Sequence, residues 1–306
     1  MKNLKTYIMI MCAMISWGFN VAVLKILVTH AKPVTITSLR IFTAGVTVFI
    51  ILFFMKIVRK PTREELKYII LGGLLNVVSH HYFLSTGLSY TSATNGGLIL
   101  GAGPLLTAIL STVILRRTPT FIRSMGFFFG SVGVLLTVLS GGKGFSDLSI
   151  GDLFVFISIM SQALSFILIS KAAKTLDPRL LTGYMLVFGS VVLFIISLVQ
   201  EPGALKEIPN LSFSIWLAFL GSAIIATALG HMLYNYSIGK LGPAEASIFL
   251  NLTTFFSLVG SALLLGEKIT PHHLWGLLFI VSGVLFGSGT IEEFLQRKRH
   301  AQYRNL

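Results

Sequence analysis

Charge is what this sequence has least of. Of 306 residues only 11% are Asp, Glu, Lys or Arg, against roughly 25% in a soluble domain. A water-soluble fold of this size cannot cover its surface with so few, so most of the chain must face lipid. Acids are scarcer still, 11 against 24 basic residues, and they are nearly absent from the interiors of the apolar stretches. That argues against an intramembrane enzyme, which needs paired acids or a comparable constellation at depth. Cysteine is reduced to Cys12, which excludes an intrachain disulfide and leaves the redox compartment unreadable. Zinc, haem and phosphate-loop patterns are missing, so no cofactor or metal is expected, nor ATP hydrolysis by this chain.

What remains is apolar sequence punctuated by short basic runs. The hydrophobic share is 54% and the net charge +13. A basic balance can mark a nucleic-acid binder, but that needs a basic face of base- and phosphate-reading residues. Here the Lys and Arg sit between apolar stretches, the pattern of cytoplasmic loops. The expected partners are therefore a small solute, the lipid bilayer and at most a second copy in a homodimer, not nucleic acid. Met1 to Met11 mimics a signal peptide, with Lys2 and Lys5 ahead of an apolar run. Apolarity continues to Val28 without a small-x-small cleavage site, so the stretch reads as an uncleaved first span.

A bilayer core takes about 20 apolar residues per helix. Ten runs fit: Thr6–Val28, Val34–Lys56, Leu66–Leu88, Ala93–Leu115, Phe121–Leu139, Gly151–Ala173, Arg179–Val199, Phe213–Ile238, Pro243–Leu265 and His272–Thr290. They are too long and too uniformly apolar for the alternating strands of a barrel. The expected fold is all-α and integral to the membrane. With the N-terminus inside, alternation puts 18 Lys and Arg on the inner side and 4 on the outer, Lys25 and Arg40 remaining within spans. That split predicts a multi-pass protein of the plasma (inner) membrane with both termini cytoplasmic.

The chain also repeats. A shift of 150 residues places Leu115–Thr120 on Leu265–Thr270, Gly126 on Gly276, Gly133-Val134-Leu135 on Gly283-Val284-Leu285 and His81 on His231. A shift of 145 places Pro33 on Pro178. Each half then holds five spans. Five is odd, so the halves enter the membrane in opposite senses, as in secondary transporters with a midplane site between inverted repeats. The boundaries read as a first repeat at 1–140, a linker at 141–150, a second repeat at 151–291 and a basic tail at 292–306.

Several motifs carry a family resemblance. Ser16-Trp17-Gly18-Phe19-Asn20 is followed by Lys25. Pro33 is followed by Arg40, and Leu88-Ser89-Tyr90-Thr91-Ser92-Ala93 precedes Pro104. Leu265-Gly266-Glu267-Lys268-Ile269-Thr270 comes before Gly276 and Gly283. In that order they resemble the EamA-type family of the drug/metabolite transporter superfamily. The resemblance implies ten helices in two inverted five-helix repeats, a cavity lined by the first four helices of each half, and movement of metabolites such as amino acids, with export as the direction. Two positions depart from the repeat: Arg117 stands opposite Glu267, and Thr254 opposite Pro104.

Polar residues within spans are costly and usually face the bundle interior or a wet cavity. The pathway candidates are Trp17, Asn20, Lys25, Arg40, Asn76, His80, His81, Gln162, His231, Tyr234, Asn235, Asn251 and Thr254. Asn76 and His80 share a helix face at i+4 spacing, as do Thr227, His231 and Asn235. The competing reading for each is an interhelical hydrogen bond. Lys25 and Arg40 either reach to the interface or draw an anionic solute. His80 and His81 project in different directions, which argues against a metal clamp. His81, His231 and Glu245 are the candidates for proton coupling, Glu245 competing as a helix-start acid behind Pro243. Gly101, Gly103 and Pro104 suggest a bend or gate in the fourth span, beside close packing at Gly96 and Gly97.

Overall fold

The computed structural model describes residues 4–116, 119–139, 149–266 and 271–287. Arg117, the motif residues 267–270, most of the expected linker at 141–150 and the tail at 292–306 lie outside the described residues. All regular structure among the described residues is helical.

Helices α1 (Leu4–His30) and α2 (Pro33–Phe54) are followed by α3, which runs through 63–90. Helix α4 occupies 93–115 in two pieces, Ala93–Leu100 and Gly103–Leu115, and α5 is Phe121–Leu139. Then come α6 (Ile150–Ala172), α7 (Pro178–Gln200), α8 (Phe213–Leu241), α9 (Pro243–Leu265) and α10 (Pro271–Gly287). Six of them, α1, α2, α6, α7, α8 and α9, are by themselves long and apolar enough to cross a bilayer. The protein is a multi-pass membrane protein. Side chains are sorted as lipid demands. Phe42, Val46, Ile50 and Phe53 form an exposed apolar stripe on α2, while Ser, Thr, Asn and His fill buried positions.

Helix starts coincide with capping chemistry. Thr62 and Glu65 form a reciprocal capping box at α3, and Ser149 and Asp152 another at α6. Proline occupies the first turn of α2, α7 and α9, where its missing N–H costs nothing. Helix α3 begins three residues ahead of the apolar run at Leu66, because the Thr62 box carries the helix into polar sequence.

Packing follows a pattern of exchange between halves. The α5 and α10 pair packs most extensively, then α2 with α7 and α1 with α9, while α6 lies against α3 and α4. Each of these pairs joins a helix before residue 140 to one after it. At the α5–α10 seam, backbones touch through glycine. A Cβ on Gly133 would meet the Gly276 carbonyl at 2.7 Å, and one on Gly283 the Gly126 carbonyl at 2.9 Å. Shifting both members of the Gly126–Gly283 contact by 150 returns the Gly276–Gly133 contact.

Helices end at two polar faces. On the basic face Arg59 forks onto Glu65 at 2.7 and 2.9 Å and donates to the Thr175 carbonyl at 3.0 Å. Arg123 pairs with Glu245 there at 3.3 Å. On the opposite face Glu201 accepts from the Val34 and Thr35 amides at 3.0 and 2.7 Å, capping α2 across the halves.

Hydrogen bonding to Arg59 holds the buried Glu65 carboxyl down at about 2, against its desolvation. Its contribution to stability is therefore full above the ordinary carboxylate range and is lost as pH falls through that range towards 2. Glu65→Ala should cost about 1–2 kcal/mol, read as a lower unfolding temperature in detergent. Glu65→Gln should lose this acid-dependent step.

Candidate functional site

The interior is built around two helices that each contain a wide turn. In α3 the turn is Gly73–Ser79 and in α8 it is Ser222–Leu229, both with π-type hydrogen bonding. Such turns rephase a helix and leave carbonyls for outside donors. Within two residues of the end of each turn stand the histidines, His80-His81 and His231. The His81 and His231 rings meet across the halves at 5.4 Å, and His80 stacks edge-on to His81 at 4.7 Å. All three are buried. Trp17 of α1 lies over His231 at 4.8 Å and Tyr234 at 5.0 Å, and its Nε1 donates at 2.8 Å to the Ala226 carbonyl inside the α8 turn. Tyr234 also meets Phe166 of α6 at 5.1 Å.

Arg40 reaches into this cluster from α2 and is only 1% exposed. Its Nη1 donates to Thr227 Oγ1 and, at 3.5 Å, to Ser222 Oγ. Its Nη2 lies 3.5 Å from His81 Nδ1. Thr227 Oγ1 in turn donates to the Ser222 carbonyl at 2.8 Å, five residues back within the π turn. The Nε of Arg40, Nε2 of His81, both ring nitrogens of His231 and the Tyr234 hydroxyl are buried without a protein partner.

The equivalent place in the other half is apolar. Shifting Arg40 by 145 gives Met185, and shifting Ser222 and Thr227 back by 150 gives Gly72 and Val77. Met185 indeed lies over Gly72, its Sδ 2.6 Å from where a Cβ would sit. The two halves share one contact and fill it with opposite chemistry.

The other candidates are placed as follows. His80 is held by α6, with Nδ1 2.7 Å from Ser158 Oγ and Nε2 3.0 Å from the Gln162 amide nitrogen. Asn76 donates to Ser165 at 2.8 Å in the same seam. Asn235 donates to Thr182 of α7 at 2.9 Å and keeps a buried, unpartnered Oδ1. Asn20 Oδ1 and Asn251 Nδ2 are likewise unpartnered, the latter against Gly130. Thr254 donates to the Gly97 carbonyl at 3.3 Å, joining α9 to α4. Lys25 lies apart from the cluster, its ammonium donating to the Leu88 and Thr91 carbonyls at 2.7 and 2.9 Å at the end of α3. Glu245 is at the basic face, accepting from Tyr7 at 3.1 Å beside Arg123 and lining a cavity of about 90 Å³ with Ser111 and Gly242. Helix α4 is interrupted at Gly101 and Ala102, with Gly103 and Pro104 opening its second piece. Ser158 and Ser222 are absent from the sequence-based set. Ser158 is one turn before Gln162 and was within reach of periodicity; Ser222 is reached only through the π spacing.

The profile of the EamA-like transporter family matches residues 4–139 and 149–288. The chain belongs to this family. Among relatives of this EamA chain, the uncharacterized transporter YyaM of Bacillus subtilis is 32% identical, covering 95% of this chain and 96% of its own. A WAT1-related chloroplastic protein of Arabidopsis thaliana is 26% identical over 85% of this chain and 64% of its own length. A crystal structure with a TM-score of 0.73 and 15% identity covers 95% of the EamA chain and 98% of its own, showing that the fold is shared. The relatives' names support a membrane transporter.

The asymmetry across the halves can be measured. Thr227→Val removes an acceptor from a buried guanidinium and should cost about 1–3 kcal/mol. Met185→Leu at the equivalent place should cost less than about 1.5 kcal/mol. Equal losses of thermal stability in one detergent would contradict the assignment.

Proposed function

We propose that this chain is a secondary transporter that moves a small amphipathic metabolite across the inner membrane by alternating access, in the direction of export. Ten helices cross the bilayer in two inverted five-helix repeats, both termini lie in the cytoplasm, and the solute binds between the repeats. The observation that carries this reading is the meeting of His81 and His231, 150 residues apart in sequence, at a buried polar cluster between the halves. Intramembrane polar residues are expensive and persist where a pathway uses them. Support for the inversion comes from the π turns at corresponding places of α3 and α8 and from the self-paired α5–α10 seam.

Trp17, Tyr234 and Phe166 form an aromatic wall beside the Arg40–His81–His231 cluster, the mixture of apolar surface and few polar groups that small-molecule sites use. The two histidines are the groups through which a proton gradient would drive the cycle, and Glu245 belongs to the contacts at the basic face. Purified protein in vesicles should show saturable solute exchange, unchanged in chemistry, that an imposed pH gradient accelerates several-fold. Flux indifferent to the gradient would remove the histidines from the driving step. Membrane-impermeant labelling of single cysteines placed at each tail, on a Cys12→Ser background, should protect both tails from the periplasmic side.

A further inference from the structure

We propose that the solute is a small organic monocarboxylate with an apolar or aromatic body, not a zwitterion, and that Arg40 receives its carboxylate. This rests on the carrier reading above and narrows its substrate.

Charge is the first argument. The ion pairs among the described residues are Arg59–Glu65, Arg123–Glu245 and Arg179–Asp177. The other described acids are Glu64 at the start of α3, Asp152 at the start of α6, Glu201 at the end of α7, and Glu207 in the connection that follows it. Arg40 is therefore a buried guanidinium in a cluster without a carboxylate among the described residues. An arginine side chain does not shed its proton in a protein, and an unneutralised charge in a low-dielectric interior is costly. An anionic solute supplies the missing charge; a zwitterion brings a second cation that nothing described there would neutralise.

Geometry is the second argument. Hydroxyls of α8 occupy Nη1, and Nη2 is only loosely engaged by His81. The Nε donor is buried and free. The edge of a guanidinium is a planar fork that fits a carboxylate through two parallel hydrogen bonds. Around it His81 Nε2, His231 and the Tyr234 hydroxyl offer further unpartnered groups able to donate. The rings of Trp17, Tyr234 and Phe166 then face the body of the solute.

Trp17 provides the readout. The chain has three tryptophans, so Trp216→Phe with Trp275→Phe leaves Trp17 as the sole indole. Its fluorescence is titrated in vesicles with four solutes on one scaffold: phenylacetate, phenylalanine, phenethylamine and 2-phenylethanol. Saturable binding of phenylacetate at least tenfold tighter than the other three is expected. Arg40→Gln should abolish that preference, with Arg40→Lys intermediate because it keeps the charge and loses the fork. Phenylalanine or phenethylamine binding as tightly as phenylacetate overturns the proposal, as does a preference that survives Arg40→Gln or no response to any solute. The wild-type ranking decides even where a variant misfolds. Exchange flux of the same four solutes separates the two readings: flux with the ranking inverted sinks the anion and leaves the carrier, and no flux for any solute ends both.

Discussion

Inside a bilayer a polar group that turns outward finds no water, and this constraint governs the rest of the structure. Backbone amides satisfy it by forming helices. Side chains satisfy it by inversion of the soluble pattern: aromatic and aliphatic residues such as Phe42, Phe53, Phe128 and Leu263 face out, and Asn76, Gln162, Asn235, His80, His81 and His231 face in. Most inward polar groups pair off, Asn76 with Ser165, Ser79 with Ser161 and Asn235 with Thr182. Others keep a buried atom without a partner, Asn20, Asn235 and Asn251 among them, and those of Arg40, His81, His231 and Tyr234 belong to one cluster.

The repeat supplies the frame and its departures supply the chemistry. Equivalent segments occupy equivalent surroundings, as the Gly126–Gly283 and Gly133–Gly276 contacts demonstrate at the α5–α10 seam. Arg40 over Ser222 and Thr227, and Met185 over Gly72, occupy the same place in the two halves. A fully symmetric interior would bury two guanidiniums within one low-dielectric cluster, where like charges repel strongly. Replacing one by methionine, whose flexible thioether fills an irregular gap, keeps the packing and removes the repulsion.

Much of this was legible in sequence because it depends on period and length. Apolar runs mark the described helices to within a few residues, and the 150-residue shift pairs His81 with His231, whose rings meet. The connection of Arg40 to Ser222 was not legible. It depends on a π turn, whose extra residue per turn moves Ser222 and Thr227 onto one face against the 3.6-residue period. Lys25 shows the opposite case. Spacing placed it within a span and left two readings open, and only the tertiary position of the end of α3 reveals that its ammonium caps the Leu88 and Thr91 carbonyls. Glu201 capping α2 from the far half was equally hidden, since nothing local to either segment encodes the meeting.

Contacts between the halves divide into two energetic classes, and the division bears on how a carrier of this kind moves. The α5–α10 seam is backbone on backbone at glycines, and opening it would forfeit dispersion over a long interface with nothing polar to gain. At the two faces the halves are joined instead by Arg123–Glu245 and Tyr7 on one side, and by Glu201 on α2 on the other. Partly solvated polar links of this sort are worth about 1 kcal/mol each, because water replaces them when they part. On the alternating-access reading proposed above, rocking about the glycine seam would exchange one set of weak polar contacts for water at a time while the apolar contact persists.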